Sequence, residues 1–287
     1  MGFRLVIAML LAAAPACQAA PLAIVAAEGV YADVARQVAG PDAVVAAILT
    51  NPASDPHMFE PAPSVARAVA GAAIVIENGI GYDPWMARLV SVSPRPAGSV
   101  IVVAALLHRQ PGDNPHLWYD PAALPAVAEA VYAQLCRDDP SAQAGLAERL
   151  RGTLAAFAVL NQRIAALHAK FAGMKVAATE PVFGPMLAAL GLVDLHPRFG
   201  LAVMNGTEPR AGDVAAMEED LRAHRARALI TNSQASDPAA MRLAAIAREA
   251  GIAVVGITET LPQGRSAQAW IGGELASLEA ALAAPHS

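Results

Sequence analysis

Short apolar runs and longer amphipathic stretches alternate along this chain. Runs at residues 22–27, 44–49, 74–77 and 100–103 read as strands, and three- to four-residue apolar spacing at 31–38, 64–69, 84–89 and 122–135 reads as helix. Such alternation implies a parallel sheet with crossover helices. From about residue 140 to 171 the rhythm becomes one helical run, with Leu146, Leu150, Leu154, Phe157, Leu160, Ile164 and Leu167 on its apolar side and Gly173 to stop it. At roughly 30 residues this helix would be about 45 Å long, the height of a two-domain body. Alternation then restarts, with strands expected at 175–178, 227–231 and 253–257 and helices at 182–190, 211–224, 238–250 and 268–283. Residues 192–210, broken by Pro197, Gly200, Gly206 and Pro209, show the least regularity. The expected fold is therefore α/β, with a lobe at 20–139, a linking helix at 140–172 and a second lobe at 173–287. Each lobe carries a mostly parallel sheet flanked by helices. No tandem repeat is visible.

Composition fits this reading: 287 residues with 55% hydrophobic content can bury a sizeable core. Residues 1–19 hold one early cation at Arg4, an apolar run and small residues near Ala19, the pattern of a secretory signal peptide too short to span a bilayer. The residues before Cys17 make a poor approach to a lipid-attachment site, so export without an anchor is expected. With Cys17 gone, Cys136 stands alone and is expected to be buried and inert. Removing Arg4 leaves 19 basic against 25 acidic residues, a net charge of −6, which argues against a nucleic-acid partner.

Candidate chemistry sits at strand ends. Asp55-Pro56-His57 and Asn114-Pro115-His116 each place an imidazole after a proline, in segments too rich in Pro, Asn and Asp for helix or central strand. Proline stiffens the backbone that feeds the ring. Imidazole is a common ligand for first-row metals, and carboxylates add harder donors that cancel charge. Glu180 and Glu259 follow strands in the second lobe as His57 and His116 do in the first, where parallel sheets build their sites. The four make a His2Glu2 set divided evenly between the lobes. Glu60 and Asp120, beside the histidine loops, and Glu208 and Asn232, in polar clusters closing apolar runs, are candidate supporting or alternative ligands. The remaining histidines, His108, His168, His196, His224 and His286, read as surface residues, and Trp85, Trp118 and Trp270 as packing.

Enzyme signatures are sparse: Gly79-Ile80-Gly81 lacks the third glycine of a dinucleotide loop, and no phosphate-binding loop, nucleophile elbow or helical His-Glu-x-x-His is present. A metallohydrolase using an open coordination position is one alternative. A receptor for a cobalamin or siderophore is another, disfavoured by the 5% aromatic content.

Three stretches resemble a known family. Residues 51–64 (NPASDPHMFEPAPS), 77–85 (ENGIGYDPW) and 114–121 (NPHLWYDP) are similar to the first ligand loop, the stretch after it and the second ligand loop of the zinc/manganese solute-binding proteins of bacterial ABC importers, cluster A-I. The resemblance implies two α/β lobes joined by one long rigid helix, a metal in the cleft, no catalysis, a monomer in the periplasm and delivery to an ABC permease in the inner membrane. By position it makes His57 and His116 the first-lobe ligands. Glu180 stands where zinc-type members have His and manganese-type members Glu, and Glu259 where the family usually has Asp. A His-rich loop is absent between Leu107 and His116, and Asn232 lies where relatives often carry a carboxylate. The expected cargo is one divalent ion, zinc or manganese, with iron, nickel and copper also within reach of these donors.

Overall fold

The computed structural model describes residues 22–51, 59–235 and 237–284. The signal segment 1–19 with Cys17, the loop residues Asp55, His57 and Met58, and His286 lie outside them. In the first lobe, β1 (Leu22–Glu28), β2 (Ala43–Leu49), β3 (Ile74–Glu77) and β4 (Val100–Val102) form one sheet in the order β2-β1-β3-β4, and every pairing is parallel. The helices of this lobe are α1 (Gly29–Ala39), α2 (Pro63–Gly71), α3 (Pro84–Ser91), α4 (Val103–Leu106) and α5 (Ala123–Asp138). After α6 (Gln143–Phe171), the second sheet contains β5 (Lys175–Ala178), β6 (Val193–Asp194), β7 (Ala228–Asn232) and β8 (Ala253–Ile257) in the order β6-β5-β7-β8, again all parallel. Its helices are α7 (Gly184–Ala189), α8 (Pro197–Met204), α9 (Ala211–Arg222), α10 (Pro238–Glu249) and α11 (Ala267–Ala283).

The two sheets thus repeat one strand order without repeating sequence. In each, the chain steps from the first strand to the second on one side and then crosses back to the third on the other, which opens a crevice at the carboxyl ends of the first and third strands. Glu180 and Asn232 stand at that crevice in the second lobe.

Helix α6 has 29 residues and is therefore about 43 Å long. It starts three residues later than periodicity indicates, because Pro140–Ala142 form a 3-10 turn whose first free amide, at Ser141, is taken by Asp139. Its buried stripe, Leu146, Phe157, Leu160, Ile164, Leu167 and Phe171, belongs to one apolar cluster with Ile24 and Ile76 of the first sheet and Val176 and Ile230 of the second. Polar clasps add direction: Arg149 donates to the Val38 carbonyl of α1 at 2.9 Å, and Arg163 to the Gly272 carbonyl of α11 at 2.9 Å. The helix is a brace fixed to both lobes.

Residues 192–210 carry more structure than their breakers imply. Two residues form the edge strand β6, too short to show a period, and Pro197 opens α8 at a position where a missing N–H costs nothing. Cys136 is half-buried against the core instead of fully buried, and it is free. Among the described residues no helix is long and apolar enough to cross a membrane.

Candidate metal site

His116 sits just ahead of a single 3-10 turn, Leu117–Tyr119, on the loop that follows β4 and α4. It is 1% exposed, and the Asn114 side chain holds it. The Asn114 side-chain oxygen accepts the His116 backbone N–H at 3.0 Å and lies 2.8 Å from the ring Nδ1. The Asn114 Nδ2 donates to the Pro181 carbonyl in the other lobe at 2.7 Å, so its oxygen is the end that faces the imidazole. Neutral His116 must therefore carry its hydrogen on Nδ1, leaving the Nε2 lone pair pointed into the cleft. Nε2 lies 3.6 Å from Oε1 of Glu259, on the opposite lobe. Gly184 makes the amide bridge possible: a Cβ there would sit 2.6 Å from Asn114 Nδ2.

Behind His116, Asn78 donates to the Pro115 carbonyl at 2.9 Å and accepts from Tyr31 at 2.6 Å. The turn after β3 that aims Asn78 needs left-handed backbone at Gly79 (φ 82°), where a Cβ would also meet Val102 at 2.9 Å. Asp83 closes this turn by accepting the Asn78 and Gly79 amides at 2.7 and 2.9 Å.

The carboxylate half comes from the ends of β5, β7 and β8. Asn232 Nδ2 donates to Glu180 Oε2 at 3.0 Å and to Glu259 Oε2 at 3.2 Å. Tyr82, from the first lobe, donates to Glu259 Oε1 at 2.9 Å. Gln234 accepts the Glu259 and Thr260 amides at 2.9 Å each, which fixes the backbone carrying Glu259. Burial pushes the Glu180 carboxyl up; the Asn232 N–H opposes this, and the Glu259 and Asp237 carboxylates add to it. Burial and the neighbouring Glu259 hold Tyr82 well above the ordinary phenol range, so it stays a donor. Glycine again permits close approach, since a Cβ at Gly200 on α8 would lie 3.3 Å from the Glu180 backbone.

Three of the four sequence-predicted ligands, His116, Glu180 and Glu259, are thus drawn into one network, and His57 lies outside the described residues. Among the described residues no three His, Cys, Asp or Glu side chains close to metal-holding distance by themselves. The described part of the site is an imidazole–carboxylate pair with a second carboxylate joined to it through an amide. Asn232 donates to both carboxylates. Asp120 does not face His116: it pairs with Arg109 and accepts the Ala122 amide at 2.9 Å, and with Glu180 it lines a cleft of about 610 Å³. Glu208 is exposed and groups with Glu218 and Arg242, because the turn at Gly206 carries it away from the strand ends, and Glu60 is exposed too. His196, expected at the surface, is largely buried 3.1 Å from Asp220.

Sequence reasoning missed Tyr82, Asn114, Gln234, Tyr119 and Glu274. The tryptophans do pack, but Trp118 belongs to a chain of edge-on rings: Tyr82–Trp118 at 4.9 Å, His116–Trp118 at 5.5 Å and Tyr119–Phe183 at 4.8 Å. Tyr119 crosses the seam between lobes, its hydroxyl 2.5 Å from the Thr258 carbonyl and 2.6 Å from Glu274 Oε2.

The family model described as zinc-uptake complex component A, periplasmic (ZnuA), matches residues 24–281. The manganese-binding lipoprotein MntA of Halalkalibacterium halodurans is 30% identical over 128 residues, covering 42% of this chain and 40% of the lipoprotein's length. Among solved structures, the periplasmic zinc binding protein TroA from Treponema pallidum is similar at TM-score 0.74 and 18% identity, over 92% of this chain and 99% of that one. The solute-binding protein FpvC from Pseudomonas aeruginosa in complex with Mn2+ is similar at TM-score 0.74 and 18% identity, over 92% and 98%. At those identities the likeness is one of fold: two lobes, two parallel sheets and the long helix.

Proposed function

We propose that this chain, which belongs to the family of periplasmic zinc-uptake complex component A, captures one divalent transition-metal ion between its lobes and delivers it to an ABC permease. The observation that carries the proposal is the meeting of His116 and Glu259 from opposite lobes, with Glu180 tied in through Asn232. His57, at the matching place in the first histidine loop, supplies the fourth donor. One or two imidazoles with two carboxylates suit zinc or manganese, and iron, nickel and copper fall within the same donor chemistry. The protein holds its cargo and catalyses no reaction. It works as a periplasmic monomer, cut from its signal near Ala19 without an anchor at Cys17. Lobes 20–139 and 173–287 act as the two jaws around the segment 140–172.

Binding displaces protons from the ligands, so affinity falls with pH. Titration of purified protein with zinc and with manganese, repeated on His57→Ala, His116→Ala and Glu259→Gln, tests the reading. Each substitution is expected to lower affinity by at least about tenfold. Unchanged affinity in all three would remove the site from this cleft.

A further inference from the structure

Asn232 does more than support two carboxylates. We infer that its side-chain amide sets how many oxygens the site offers a cation, and so makes Asn232 the residue that favours zinc over manganese. This rests on the metal-capture reading above.

The amide has one orientation available. Its Oδ1 accepts the Gln234 backbone N–H at 3.0 Å, so Nδ2 faces the cleft. Gln234 is locked in turn, its Oε1 taking the Glu259 and Thr260 amides and its Nε2 donating to Thr260 Oγ1 at 2.9 Å. Asn232 is 9% exposed at the end of β7, so neither side-chain hydrogen is lost to bulk water. Both hydrogens go to the ligands, to Oε2 of Glu180 and Oε2 of Glu259.

The geometry gives the two oxygens of Glu259 different partners. The amide holds Oε2 of both carboxylates, whereas Oε1 of Glu259 takes the Tyr82 hydroxyl and is the atom turned toward His116 Nε2. A cation entering between Glu180 and Glu259 then receives one oxygen from each. Two such oxygens with the His116 nitrogen, and the His57 nitrogen if it joins, make a three- or four-donor shell, the number zinc prefers. A carboxylate released from the amide can bind through both oxygens, and two of them bring the count to that of manganese. The amide also carries no charge, so it holds two like charges close together without competing for the ion as a third carboxylate would.

The test is a competition titration of purified protein with zinc and manganese for the native chain, Asn232→Leu and Asn232→Asp. X-ray absorption of each zinc-loaded protein reads the number of bound oxygens, and circular dichroism verifies folding. The leucine variant is expected to lose about 10- to 100-fold of its zinc preference over manganese and to show added oxygen neighbours around zinc. The aspartate variant reads the same ratio if the leucine variant does not fold, and the same loss is expected of it. Equal loss for both metals, or an unchanged ratio with an unchanged shell, would overturn the inference, because a merely structural amide would not discriminate. Failure of the native chain to bind either metal, or indifference to His116→Ala, would instead overturn the metal-capture reading.

Discussion

Glu77 should make the metal-free protein less stable as pH rises. It ends β3 at 7% exposure, and its Oε2 has no hydrogen-bond partner among the described residues. Burial, reinforced by the Asp83 carboxylate, raises its pKa from the ordinary 4.5 to about 7. Because the folded state holds this proton more tightly than the unfolded chain, the contribution is fully present below pH 4.5 and is lost as pH rises through about 7. At about 1.4 kcal/mol per tenfold change in proton affinity, the loss is at most roughly 3 kcal/mol. For a chain of this size that corresponds to roughly 5–10 °C in melting temperature. Glutamine mimics the protonated acid and cannot ionise. In EDTA-treated protein followed by circular dichroism at pH 5 and pH 8, Glu77→Gln should match the native chain or melt slightly lower at pH 5, and melt well above it at pH 8. A difference between the two proteins that is the same at both pH values would refute the reasoning, since it would mean that Glu77 ionises in the folded state as it does in water.

The other predictions concern the cleft and the seam. Tyr82→Phe deletes one hydrogen bond to Glu259 and should weaken zinc binding by about 1 kcal/mol with little change in fold, read by competition titration. Asn114→Leu releases the hydrogen that fixes the His116 tautomer, and a loss of about 10- to 100-fold in zinc affinity is expected; an effect below about twofold would exclude the tautomer argument. Because burial raises the Glu180 carboxyl, proton competition with the metal should begin above the ordinary carboxylate range, and Glu180→Gln should flatten the pH dependence of binding measured by calorimetry in matched buffers. Glu274→Gln should leave the melting temperature at pH 7 nearly unchanged, whereas Tyr119→Phe should cost about 1–3 kcal/mol by unpairing the Thr258 carbonyl.

The sequence revealed most of the sheet because β1, β3 and β8 are apolar runs of four or more residues, long enough to show a strand signature. It hid β6, which has two residues, and α4, whose first residue, Val103, continues an apolar run and turns helical only in context. The site divided along a similar line. His116 was legible because proline marks its loop, and Asn114 lay in the same tripeptide, yet its role depends on which amide end faces the ring. That orientation is decided by the Pro181 carbonyl, which lies 67 positions away. Tyr82 was hidden just after a Gly-Ile-Gly stretch that taken alone read as a failed dinucleotide loop, although those glycines shape the turn that carries it. Glu274 gives no local signal, since it reads as one more polar residue of α11 and its partner Tyr119 lies 155 positions earlier.

The hydroxyl of Tyr119 has one hydrogen and two oxygen neighbours, the Thr258 carbonyl and Glu274 Oε2. A carbonyl cannot donate, so both contacts are satisfied only when Tyr119 donates to Thr258 and Glu274 holds a proton that it gives to Tyr119. Burial pushes the Glu274 carboxyl in that direction, and Oε1 keeps its acceptor role toward the Thr258 amide and Trp270 at 2.8 and 2.9 Å. In the first lobe, burial pushes Glu28, Glu77 and Asp83 toward their neutral forms as well. Carboxyls inside the lobes and along their seam are thereby biased against charge, as Glu180 is by its own burial, and in the cleft the neutral Asn232 amide donates to both Glu180 and Glu259. Under the proposed function, a divalent ion entering there would meet two carboxylates that it can neutralise, already held together by an uncharged donor.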